Sequence, residues 1–274
     1  MFYFKVRTTG CTELDDVDWT IDFRYTLVGL QNMSRSGRIF SPTDISGCLL
    51  WVDSADVSTI THSGGDVSQW NDKSGNDHHL TQSTSAYEPT YSELLFEPYI
   101  EFDGTNKVLG NTDSGLINVS DSTSTMFVVF KSDNTTTSST GQTLAGVCNR
   151  GRQMYGMNIN STTATAGGTA FLNRVTQDFD CNLSSIASTT IQVVIGTRDG
   201  TDRIIYDQDG NTDTETDSSD TTQDMFSVGC AWEDGRTPTA DYSGKIYEII
   251  VWDVVLTEAQ RNQVLNYLQT KWNT

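Results

Sequence analysis

Three histidines, a scatter of aspartates and a handful of loop aromatics are the residues of this chain that could do chemistry. His78 and His79 adjoin, with Asp72 and Asp77 close by, an oxygen and nitrogen set that could hold a transition metal. No cysteine or second histidine cluster stands at ligand spacing, and His62 is isolated, so a polar surface loop is the plainer reading. Retaining glycosidases need two facing carboxylates about 5 Å apart. Glu101 and Asp103 share a strand face, but the Gly104 turn follows at once. Glu248 is alone on its face and Asp253 points the other way, so no such pair is visible. A nucleophile elbow, a phosphate-cradling glycine loop and a zinc motif are all absent.

Sugars offer an apolar ring face and a rim of hydroxyls, so a binding site wants an exposed aromatic beside amide or carboxylate partners. Trp232 is the best-placed candidate, because it ends a strand and opens the polar loop Glu233-Asp234-Gly235-Arg236. Tyr155 and Tyr242 are further carbohydrate-binding candidates. Trp51 and Trp252 lie in apolar surroundings and, together with Trp70 and Trp272, read as core.

The elements that must position these groups are mostly strands. Met126–Lys131, Ile191–Gly196, Arg203–Tyr206 and Phe226–Trp232 are apolar runs of strand length. Asp199-Gly200 and Asp209-Gly210 are hairpin-turn dipeptides. Gly210–Gln223, acidic and rich in Thr and Ser, is expected to be a mobile loop. From Gly244, strict alternation puts Ile246, Glu248, Ile250 and Trp252 on one face and Tyr247, Ile249 and Val251 on the other. Both faces are largely apolar, which predicts a strand covered on both sides. Thr257 with Gln260 forms a capping box, and Val264, Leu265, Leu268 and Trp272 make one stripe, so a C-terminal helix should pack on the sheet.

Three segments carry a family resemblance: LLWVDSADVSTITHSGGDVSQWNDKSGNDHHLTQ from Leu49, IEFDGTNKVL from Ile100, and SGKIYEIIVWDVVLTEAQ from Ser243. Together they resemble laminin-G-like, concanavalin A-like domains, of the branch found in bacterial surface proteins and tailed-phage virion proteins. The resemblance implies an all-β fold, a two-sheet antiparallel jelly-roll β-sandwich with one short C-terminal α-helix, over residues 45–274. Residues 1–44 lie outside it and read as an N-terminal arm that could anchor the chain to an assembly. Jelly-roll glucanases of this superfamily carry a Glu-x-Asp-x-x-Glu strand, and this chain lacks it. Calcium is the cofactor the resemblance implies, with Asp53, Asp72 and Asp103 as its candidate ligands because they sit in the family segments. Calcium takes hard oxygen donors supplied by separate loops.

Composition bounds the partners. The chain has 274 residues and a formal net charge of −19, from 36 acidic and 17 basic residues. Phosphate backbones and anionic membranes need clustered Lys and Arg, so neither is an expected partner. Five scattered cysteines without CxxC spacing argue against a disulfide framework and against a zinc site. The opening MFYFKV alternates like a strand and lacks the features of a signal peptide.

The expectation is a non-enzymatic tailed-phage virion component, a head-decoration or tail protein made in the host cytoplasm. It would contact other virion proteins through the arm, form a homo-oligomer on the particle and touch host surface polysaccharide with its sandwich. The alternative is a calcium-dependent carbohydrate-binding module of a bacterial surface or secreted protein.

Overall fold

β-branched and aromatic runs separated by Asp-Gly, Ser-Gly and Asn-rich turns become short paired strands, because each run can bury a side-chain face only against a neighbour. The computed structural model describes residues 40–94, 97–117, 123–133, 141–149, 152–159, 169–173, 181–183, 190–200, 202–216, 225–231 and 241–274. The chain divides into Met1–Ile39 and Phe40–Thr274, and the described residues belong to the second unit.

Among the described residues the strands are β1 (Cys48–Asp53), β2 (Ile60–Ser63), β3 (Asp66–Trp70), β4 (Leu80–Thr81), β5 (Thr90–Ser92) and β6 (Tyr99–Asp103). They continue with β7 (Leu109–Asn111), β8 (Thr123–Ser132), β9 (Gln142–Asn149), β10 (Arg152–Ile159), β11 (Thr169–Asn173) and β12 (Cys181–Leu183). The last are β13 (Gln192–Asp199), β14 (Asp202–Asp207), β15 (Thr212–Thr216), β16 (Met225–Val228) and β17 (Ser243–Trp252). A single helical turn, α1 (Ser114–Ile117), follows β7, and α2 (Glu258–Trp272) closes the chain.

All pairings are antiparallel. One layer runs β15–β14–β13–β8–β17. Its far edge is shared: β6 pairs with the first half of β17 and β1 with the second. The other layer runs β2–β3–β4–β7–β16–β9–β10–β11–β12. Strand β5 links the two, touching β3 at Asp66↔Thr90 and β6 at Thr90↔Glu101. This is the antiparallel β-sandwich with a C-terminal helix that the sequence predicts.

Two apolar layers hold it. Between the sheets, Leu50, Val128, Phe130, Ile249 and Val251 meet Trp70, Leu80, Leu144, Met157 and Phe226. Outside the first sheet, Phe127, Val129, Tyr247, Ile250 and Trp252 are covered by Val264, Leu268 and Trp272 of α2. Fully burying each such side chain is worth about 1.5–3 kcal/mol. Both capping-box hydrogen bonds predicted at Thr257 are present, and they set where α2 starts. None of the helices among the described residues is long and apolar enough to cross a membrane.

Two local expectations are corrected. The β8–β17 register slips between Ile246 and Glu248, a β-bulge. It moves Tyr247 to the helix side together with Ile250 and Trp252, and leaves Ile246 facing the inter-sheet core with Ile249 and Val251. Strict alternation therefore mis-phases the start of β17. The segment expected as a mobile loop after Gly210 contains β15, paired along β14 from Tyr206↔Thr212 to Asp202↔Thr216. Its Thr and acidic side chains suit an exposed edge strand, since polar edges discourage further pairing. The rest of that segment, 217–223, lies outside the described residues.

Candidate functional site

The loop from Asp72 to His79 is built by one carboxylate. Asp72 Oδ1 accepts from the Trp51 and Ser74 amides at 2.9 and 2.8 Å. Its Oδ2 accepts from the Ser74 hydroxyl at 2.6 Å and the His78 amide at 3.1 Å. Asp77 takes the left-handed conformation at φ 61, which Asp tolerates because its short polar side chain bonds locally. The turn sends the two histidines apart. His78 is buried, with Nδ1 2.9 Å from the Leu49 carbonyl oxygen and Nε2 3.3 Å from Asp113 Oδ1. His79 Nδ1 accepts from the Asp72 amide at 3.1 Å, so the neutral ring carries its hydrogen on Nε2. The pair therefore does not converge on a metal.

Across from this loop, Asn111 ends β7 and organises the facing wall. Its Nδ2 donates to the His79 carbonyl at 2.7 Å, and its Oδ1 accepts from the Asp113 amide at 2.7 Å. Asp113 Oδ1 in turn accepts from the Gly115 amide at 2.7 Å. Between the walls lies a cleft of about 690 Å³, lined by Asp77, His79, Thr81, Asn111, Asp113 and Met225 among others. Gly110 lines it as well, and a Cβ there would stand 2.7 Å from Met225 Sδ, so the glycine lets β16 and β7 close together. The cleft presents carboxylates, an amide, hydroxyls and an imidazole N–H around one thioether. That lining can exchange hydrogen bonds with a polyhydroxylated ligand, and its volume suits a small-ligand site.

The residues singled out from sequence are placed elsewhere. Trp232 lies outside the described residues, and the backbone of Tyr155 runs in β10 while its side chain is outside them. Tyr242 is corrected: it is fully buried, and its hydroxyl donates to the Lys131 carbonyl at 2.8 Å, so it is a core pillar and no sugar platform. Burial raises its phenol well above the ordinary range.

The three aspartates expected to hold calcium do not form one group. Asp53 is buried against two ammonium groups, Lys271 at 2.6 Å and Lys73 at 2.9 Å. Asp72 is saturated by protein donors, as above. Asp103 caps its own turn, accepting from the Thr105 amide at 2.8 Å and hydroxyl at 2.6 Å. Among the described residues no three His, Cys, Asp or Glu side chains gather to hold a metal ion. Calcium does not fit these carboxylates as they stand.

Asp53 belongs instead to a charged network that sequence reasoning missed. Glu248, fully buried, accepts from Trp51 Nε1 at 2.7 Å, Tyr267 at 2.9 Å, Lys271 at 2.8 Å and Trp272 Nε1 at 2.8 Å. Burial pushes its carboxyl above the usual range, while Lys271 pulls the other way. Lys73 bridges Asp53 and Asp56, and these carboxylates outweigh burial to raise its pKa. With both Glu248 oxygens occupied and no solvent access, this is a fastening between β17 and α2. It has no room for a substrate.

No family model matches the chain, and no curated protein matches its sequence. Solved structures do match in fold. A Trypanosoma rangeli sialidase in complex with sialic acid superposes with a TM-score of 0.58 at 11% identity, over 88% of this chain and 36% of that one. The same sialidase in complex with 2,3-difluoro-KDN gives 0.59 at 9% identity, over 88% and 36%. The binding domain of botulinum neurotoxin DC, in complex with rat synaptotagmin II, gives 0.59 at 13% identity, over 84% and 53%. The likeness is one of fold. This chain spans about a third of each sialidase (36%). The reading as a non-enzymatic virion component is overturned: the fold is shared with enzyme chains and toxin binding domains, and none of these three is a virion protein.

Proposed function

We propose that residues 40–274 form a glycan-binding β-sandwich of the concanavalin A-like type, with the cleft between the Asp77–Ser83 segment and the Gly110–Ser114 segment as its ligand site. The observation that carries the reading is the cleft itself: a concave surface of about 690 Å³ whose polar groups are held by a hydrogen-bonded frame. Preformed polar groups in a concave site bind hydroxylated ligands with little ordering cost. The fold neighbours support it, since one of those structures holds sialic acid on a sialidase.

The test is affinity electrophoresis of the full chain in gels cast with a panel of polysaccharides, with calcium and with chelator, alongside a reducing-end assay for hydrolysis. The expected result is retention by at least one polysaccharide that survives chelation and weakens in His79→Ala. Retention by none would reject the reading. Release of reducing ends would add turnover to binding and place the chain with the sialidases in activity as well as fold.

A further inference from the structure

We infer that the cleft selects saccharides bearing an ammonium group, hexosamine-type glycans, and rejects anionic ones such as sialylated chains; this rests on the glycan-binding reading above. Three observations converge. First, the cleft residues include two carboxylates, Asp77 and Asp113, and no lysine or arginine. Second, those carboxylates keep acceptor capacity for a ligand. Asp77 is exposed and, among the described residues, no side-chain hydrogen bond or ion pair engages it, while Asp113 spends Oδ1 on Gly115 and His78 and its Oδ2 meets no described partner.

Third, the whole chain carries a formal charge of −19, so its long-range field also repels anions. A carboxylate-bearing sugar entering this site would meet like charge with no lysine or arginine in the lining to offset it, which disfavours binding. An ammonium would gain charge-assisted hydrogen bonds to Asp77 and Asp113, while the His79 Nε2–H and nearby hydroxyls engage ring hydroxyls.

The experiment is isothermal titration of the full chain with chitosan oligosaccharide, its fully N-acetylated counterpart, and sialyllactose, at low and moderate salt. The expected order is chitosan oligosaccharide strongest, the acetylated oligomer weaker and sialyllactose absent, with the chitosan affinity falling as salt rises. Asp77→Asn and Asp113→Asn should each weaken chitosan binding roughly two- to fivefold, the size expected for an exposed ion pair, and weaken the acetylated oligomer less.

Asn retains the left-handed turn at position 77 and the Gly115 acceptor at 113, so both variants should fold. Glu258→Gln, an equal charge change on the exposed start of α2, should leave chitosan affinity unchanged. If it weakens chitosan as much as the cleft variants do, attraction is diffuse and the inference fails. Sialyllactose binding as tight as chitosan would overturn the inference while keeping glycan binding. Binding of none of the three, together with no retention on the polysaccharide panel, would overturn both.

Discussion

Trp272 donates its indole N–H to Glu248 Oε2 at 2.8 Å, joining the last turn of α2 to the middle of β17. The contact is possible because the bulge between Ile246 and Glu248 puts Tyr247 and Glu248 in succession under the helix. Tyr247 and Trp272 then pack with ring centroids 5.2 Å apart.

Glu248→Gln keeps the shape but removes the charge that Lys271, Trp51, Tyr267 and Trp272 all point at, and it turns an N–H toward at least one donor. Breaking one side of a buried ion pair costs about 3–5 kcal/mol, and the retained carbonyl should hold the loss near 2–4 kcal/mol. Urea denaturation measures it. A change below about 0.5 kcal/mol would mean the network is energetically idle.

Gly229 follows β16 at φ +88, and a Cβ there would run into the Phe102 ring. Left-handed backbone and overpacking then add, so Gly229→Ala should cost about 2–5 kcal/mol. Thermal melts should show it as the largest loss among single glycine-to-alanine changes at turns. Gly200, at φ +60 with open space around its Cβ position, should lose only the backbone share.

Burial, then the nearby Asp72 and Asp253, push the Cys48 thiol up from 9.0 to about 12. The thiolate is the reactive form, so each unit of increase cuts alkylation about tenfold at neutral pH. Peptide-resolved iodoacetamide labelling of the native protein at pH 8 should find Cys48 roughly a thousandfold slower than an unfolded control. The rate should climb as pH approaches 12. Labelling at the control rate would show the site opens readily.

Asn111 touches both walls of the cleft through its two hydrogen bonds. Asn111→Ala should weaken glycan retention about tenfold, because His79 and Asp113 lose their common brace, and should lower the melting temperature by a few degrees. Affinity electrophoresis and a thermal melt on the same sample separate the two effects. Unchanged retention would place the ligand elsewhere on the sandwich.

Elements with strong local signals were legible from the chain alone. The capping box at Thr257 and the Val264, Leu268, Trp272 stripe sufficed for α2, and the Asp-Gly dipeptides marked the β13–β14 and β14–β15 turns. The burial of Trp252 was also readable, since it sits in an apolar run. The cleft was not. Its walls come from Asp77–Ser83, Gly110–Ser114 and Met225, far apart in sequence, and none of these short polar stretches is distinctive by itself.

The sequence by itself determined the periodic elements and their caps, because those follow from energies local to a few residues, and its resemblance to concanavalin A-like domains implied the antiparallel sandwich. The tertiary structure decided which carboxylate meets which partner. Asp53 and Asp72, alike in sequence setting, become a lysine counter-ion and a loop staple once β1, the Asp72 loop and α2 are brought together. Those roles depend on long-range contacts and on a one-residue bulge, and a bulge changes the face of a side chain without changing the residue pattern that precedes it.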